Sequence, residues 1–132
     1  MYLWYWIVGM GIVESKKFRS IVFDFENDTF EILDGTLGVY KISSIKKCTI
    51  LNEEAKFRGK TEPFLHQVLG GTTFFVIGGN QMYVGLKIVT KDDLKLAVYV
   101  SQKPVGFNSD LFLSDKKEAE HIKRVIDKHI LN

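Results

Sequence analysis

Cysteine and proline are scarce: the chain has one cysteine, Cys48, and two prolines, Pro63 and Pro104. A single thiol excludes an intrachain disulfide and any metal centre built from several cysteines, and it fits a reducing, cytoplasmic setting. Both prolines fall in segments that read as loops, and no Pro-rich linker, repeat or low-complexity tract marks a domain boundary. Charge of one sign is also missing. The 18 basic and 16 acidic residues leave a net charge of +2, too balanced for a nucleic-acid-binding face. Gly70-Gly71 and Gly78-Gly79 match neither Gly-Lys-Ser/Thr nor Gly-x-Gly-x-x-Gly, which excludes the familiar phosphate loops. His66, His121 and His129 lie too far apart to form a ligand pair, so neither metal nor cofactor is expected. The leading apolar run, Met1 to Val13, stops at Glu14-Ser15-Lys16-Lys17. That is short of the roughly twenty residues of a helical bilayer span. It also has no basic residue before it, unlike a secretory signal.

What remains is ordinary globular material for one domain spanning 1–132. The chain is 45% hydrophobic and 13% aromatic, with ten Phe, a balance that favours strands. The run 1–13 reads as a buried N-terminal strand. Phe18 to Phe25 reads as another, with Ile21, Phe23 and Phe25 on one face. Asn27-Asp28 offers a turn that tolerates left-handed backbone, and Thr29 to Leu33 returns with Phe30 and Ile32 alternating against Glu31. Asp34-Gly35 is a second turn signal. Gly38 to Ile42 is a short strand, Ser43-Ser44-Ile45 breaks the pattern, and Lys47 to Leu51 resumes it. The polar stretch 52–67 is hard to read, and Thr72 to Ile77 reads as a strand framed by glycine pairs. Val84, Leu86 and Ile88, then Leu94, Leu96, Val98 and Val100, form a hairpin about Lys91-Asp92-Asp93, with its Lys-bearing face in water. A helix is expected over 114–131, with Ser114 as its cap. Ala119, Ile122, Val125, Ile126 and Ile130 make its buried stripe, and His129 falls within that stripe. Glu120 and Arg124 are spaced as an i,i+4 pair on its wet side.

Seven or eight short strands followed by one terminal amphipathic helix resemble the bacterial pleckstrin-homology-like (PH-like) domains. The local pattern Val39-Tyr40-Lys41-Ile42-Ser43-Ser44-Ile45, leading into Lys47-Cys48-Thr49-Ile50-Leu51, is similar to theirs. The likeness covers about Phe18 to Asn132, and the segment 52–81 and the apolar N-terminus depart from it. It implies a mainly β fold: a half-open barrel of antiparallel strands capped by the last helix. It also implies a binding role toward phosphoinositides, peptides or proteins rather than catalysis.

Two basic groups are candidate binding sites. Lys16, Lys17 and Arg19 follow the apolar run, and Lys17-Phe18-Arg19 resembles the Lys-x-Arg of lipid-binding PH domains. Lys and Arg donors hold phosphate oxygens well. At about 1 kcal/mol per cation near an anionic surface, three supply about 3 kcal/mol, so an apolar anchor is needed, and Trp4 and Trp6 are its candidates. Lys56, Arg58 and Lys60 form a second group at strand-like spacing, flanked by Glu53, Glu54 and Glu62. Cys48 with His66 and an aspartate has the residue types of a nucleophilic set, but an alternating apolar strand suggests a buried, inert thiol. Asp24, Glu26 and Asp28 alternate at a hairpin tip and read as turn residues. These features lead to a non-enzymatic binding or scaffold module acting through protein contacts at its sheet edges and N-terminal strand. One alternative is a peripheral membrane adaptor for anionic lipid, and another a β-barrel holding a small apolar ligand. The uncharged stretch Thr72–Ile77 adds an edge through which copies could associate.

Overall fold

The structure is a computed structural model that describes residues 2–8, 11–67 and 81–130, with side chains from Lys16 onward. The apolar N-terminal run is not one strand. It forms β1 (Tyr2–Val8) and then β2 (Gly11–Lys17), paired antiparallel along their whole length from Tyr2–Lys17 to Val8–Gly11. Uniform apolarity marks a strand but not the point where it reverses. β3 (Ile21–Asp24), β4 (Thr29–Ile32) and β5 (Gly38–Lys41) complete a five-stranded antiparallel sheet in sequence order. The strand read over Phe18–Phe25 is thus shorter than its apolar pattern. Phe18 is buried within a tight loop, where its N–H donates to the Ile21 carbonyl at 2.8 Å.

A 3-10 turn at Ile42–Ser44 leads into the second sheet, made of β6 (Ile45–Glu54), β7 (Met82–Thr90) and β8 (Lys95–Tyr99) in sequence order. β6 runs three residues beyond the expected Leu51, because Asn52, Glu53 and Glu54 pair with Val84, Tyr83 and Met82. The strand expected over Thr72–Ile77 lies outside the described residues. The two sheets meet along one seam. Gly35 bridges Val98, the Thr36 N–H donates to the Ala97 carbonyl at 2.9 Å, and the Tyr99 N–H donates to the Asp34 carbonyl at 2.9 Å. The Asp34-Gly35 turn thus connects β4 to β5 and at the same time forms this seam. A β-carbon on Gly35 would stand 2.0 Å from the Ala97 oxygen, so only glycine fits there. The result is a mainly β, half-open arrangement of two antiparallel sheets that do not close into a barrel.

α1 (Asp110–Ile130) covers β6 and β7 with Phe112, Ala119, Ile122, Val125 and Ile126. It begins four residues before the expected 114. Ser109 is the cap: its hydroxyl accepts from the Phe112 N–H at 3.2 Å, while Ser114 is exposed on the helix itself. Phe23, Phe30, Leu86, Leu96 and Ile122, each no more than 1% exposed, fill the space between sheets and helix. At about 1.5–3 kcal/mol per large buried side chain, this contact holds a helix that would be marginal alone. The outer face of β8 also differs from expectation. Ala97 and Tyr99 are buried, because Phe64 from the segment after β6 packs on them, and Leu94 is the exposed residue of its set.

Candidate functional site

The Lys-x-Arg cluster comes apart in the fold. Arg19 reaches across to the second sheet, where it donates to the carbonyls of Tyr99 and Val100 at 2.9 and 2.8 Å and pairs with Asp34 at 2.9 Å. Its guanidinium staples the seam and is not available to a phosphate. Lys17 is exposed, and strand alternation puts it on the opposite face of β2 from Lys16. Lys16 is the member that reaches a shared surface.

The second group is not a patch either. Arg58 pairs with the other oxygen of Asp34, and its guanidinium lies over Tyr83 and Tyr99 at 4.6 and 4.4 Å. Lys56 pairs with Glu54 at 3.2 Å and sits over Phe57, and Lys60 is exposed in the following turn. Glu53, fully buried, accepts from the Tyr99 hydroxyl and from the Phe64 N–H at 2.8 Å. Burial, helped by that carboxylate, pushes the Tyr99 phenol above its ordinary range. These groups bind the segment after β6 to the sheet, and a buried carboxylate satisfied by two donors is structural here.

The residues weighed for catalysis do not meet. Cys48 is buried, and burial pushes its thiol up to about 12. His66 stacks on Phe57 at 3.7 Å, and its carbonyl accepts from the Glu54 N–H. Glu54 is six residues from Cys48 along β6, roughly 20 Å of strand. Asp24 holds Asn27, and Asp28 accepts from the Ser43 N–H and hydroxyl at 3.1 and 2.6 Å, so the hairpin-tip acids fix turns. His129 is exposed rather than part of the buried stripe, although its ring stacks on Phe25 at 4.5 Å and its Nδ1 lies 2.9 Å from the Val125 carbonyl. Among the described residues no three His, Cys, Asp or Glu side chains are grouped to hold a metal ion.

Two features do converge. Lys16 of β2 and His121, Arg124 and Lys128 of α1 line one surface hollow of about 200 Å³ with Val125. The i, i+3, i+7 spacing of the helical members puts them on one face. Of these helical members the sequence reading places Arg124 alone on the helix's wet side, and the spacing of all three was the signal available for the stripe. The i,i+4 ion pair that forms is Lys123–Asp127 at 2.6 Å, not Glu120–Arg124.

The second feature is the β1–β2 ribbon. Only Ser15, Lys16 and Lys17 of β2 pair with β3, so residues 11–14 pair with β1 alone among the described residues. The ribbon runs on past Asp24, at the end of the sheet that holds the 25–28 turn. The C-terminal end of α1 lies at this same end, since His129 stacks on Phe25. From tip to base the register pairs Val8–Gly11, Ile7–Ile12 and Trp6–Val13, then Tyr5–Glu14, Trp4–Ser15, Leu3–Lys16 and Tyr2–Lys17. Among the described residues no helix is long and apolar enough to cross a membrane. Comparison with family models, curated proteins and solved structures finds no match for this chain.

Proposed function

We propose that this protein is a non-enzymatic, PH-like binding module of the cytoplasm that docks on anionic membrane surfaces, with the β1–β2 ribbon as its apolar anchor. The order of residues along that ribbon carries the reading. Aliphatic residues occupy the tip, aromatic residues follow, and lysines come at the base. A bilayer presents the same order, with hydrocarbon, then the interfacial zone where Trp and Tyr concentrate, then headgroup charge. Glu14 lies three residues from Gly11, so about 10 Å of ribbon precedes the first charge. That is the depth of an interfacial anchor. Deeper entry would leave the outer backbone edges of a two-stranded ribbon without hydrogen-bond partners.

Magnitudes decide which force dominates. Burying Ile7, Val8, Ile12 and Val13 at about 1.5–3 kcal/mol each gives about 6–12 kcal/mol before ordering costs. Lys16 and Lys17 add about 1 kcal/mol each. Binding is therefore led by the tip, with charge as a bias toward anionic lipid. Co-sedimentation with phosphatidylglycerol vesicles tests this. The protein sediments at low and at physiological salt, and the variant carrying Ile7→Asp and Ile12→Asp stays in solution. Equal sedimentation of both proteins contradicts the proposal.

A second reading, protein contact through a sheet edge, has support of its own. Among the described residues β5 is an edge strand, and Leu33, Leu37 and Val39 on and beside it are 42%, 70% and 63% exposed. A partner strand added to β5 would cover them. Capture of a partner that Val39→Lys abolishes, with vesicle binding absent, would favour this reading. A small apolar ligand has less support, because side chains occupy the space between the sheets.

A further inference from the structure

We infer that the hollow between β2 and the C-terminal half of α1 is a binding site for a phosphate monoester. Lys16, His121, Arg124 and Lys128 converge on it from two elements, and among the described residues no carboxylate lines it. Two nearby helical acids are engaged elsewhere. Asp127 is held by Lys123, and Glu118 lines the neighbouring hollow with Ser114, Lys117 and His121. Among the described residues neither Lys16 nor Arg124 makes an ion pair, although Glu120 is placed in sequence to take Arg124.

The chemistry of the lining selects the ligand class. Lys16 and Arg124 bring two cations to the hollow beside the His121 imidazole and Lys128, more positive charge than one carboxylate or phosphodiester would balance. A phosphate monoester carries about −1.5 to −2 at neutral pH and offers three terminal oxygens. The Arg124 fork takes two oxygens side by side, and the lysines bring point charges to the third. Val125 gives the hollow an apolar side against which the esterified carbon chain rests. Lys17-Phe18-Arg19, the sequence's own phosphate signal, is excluded from this role because Arg19 is spent on the seam.

The monoester can be carried by a soluble metabolite or by a lipid headgroup, and one experiment separates the two. Glycerol 3-phosphate is titrated into the protein and followed by amide NMR, and vesicles of phosphatidic acid and phosphatidylglycerol are compared at equal surface charge. The inference predicts saturable shifts confined to residues around Lys16 and 121–128. Arg124→Gln and Lys16→Gln, on separate elements and on the surface, each weaken binding about tenfold or more. Preference for phosphatidic acid that these variants lose assigns the site to a lipid. Glycerol 3-phosphate binding without that preference assigns it to a soluble ligand. Absence of saturable shifts, or shifts unchanged in both variants, overturns the inference. The ribbon variant Ile7→Asp with Ile12→Asp keeps glycerol 3-phosphate binding, so failure of the membrane anchor and failure of this site give different results.

Discussion

Asp34 shows how single residues set this fold. Its carboxylate accepts both Arg19 and Arg58, and its carbonyl accepts from Tyr99 across the seam. Arg19→Gln therefore lowers stability by about 1–3 kcal/mol in denaturant melts. It leaves vesicle binding of the folded protein unchanged, the reverse of what a lipid-contacting arginine would do. Gly35→Ala is costlier. Its β-carbon meets the Ala97 oxygen at 2.0 Å, and its φ is +134°, so a loss of about 3 kcal/mol or more is expected by the same assay. Cys48 supplies a pH prediction. Its ordinary thiol pKa of 9.0 in the unfolded chain rises to about 12 in the fold. Below pH 9 both states are neutral there. As pH rises from 9 to 12 the unfolded chain loses the proton first, so stability falls across that window. Cys48→Ala flattens this part of the stability-against-pH curve, and an unflattened curve would show that other groups cause the alkaline loss. The burial of Cys48 was legible from its alternating strand. The inward use of Arg19 and Arg58 was not, because a sequence shows an arginine's charge but not the carbonyls and rings that a distant turn brings to it.

Elements with a clear period were the most readable. The stripe of α1 and the alternation of β3, β4 and β7 gave their buried faces, since one face of each must leave water. Ends were less readable. Ser109 and Ser114 both suit a cap, and Phe112 decides between them by packing into the core one turn before the expected start. Ser109→Ala is expected to cost about 1 kcal/mol, whereas Ser114→Ala stays within about 0.5 kcal/mol, as thermal melts of the two variants would show. The reverse order would place the cap at Ser114. The ribbon at the N-terminus reads as a single strand in the sequence because apolar residues run through both arms and no polar turn interrupts them. The outer face of β8 reads as wet in the sequence for a related reason: Phe64 covers it from a segment whose own pattern is polar.

At the scale of the molecule, a half-open arrangement of antiparallel strands covered by one helix is largely readable from strand count and order, because local pairing of neighbouring strands dominates both sheets, whereas the seam between them is not. The candidate surface was only half readable. Trp4, Trp6, Lys16 and Lys17 were singled out by composition, but the helical partners of Lys16 come from about a hundred residues away. As proposed, the β1–β2 ribbon enters the membrane interface. Trp4 and Trp6 are the chain's two tryptophans and both belong to β1, so intrinsic fluorescence reports on that ribbon alone. The most direct measurement is Trp emission during titration with phosphatidylglycerol vesicles, repeated with lipids brominated on their acyl chains. A ribbon seated at the interface gives a blue shift and strong quenching by the brominated lipid. An emission spectrum that neither shifts nor quenches at saturating lipid would contradict it.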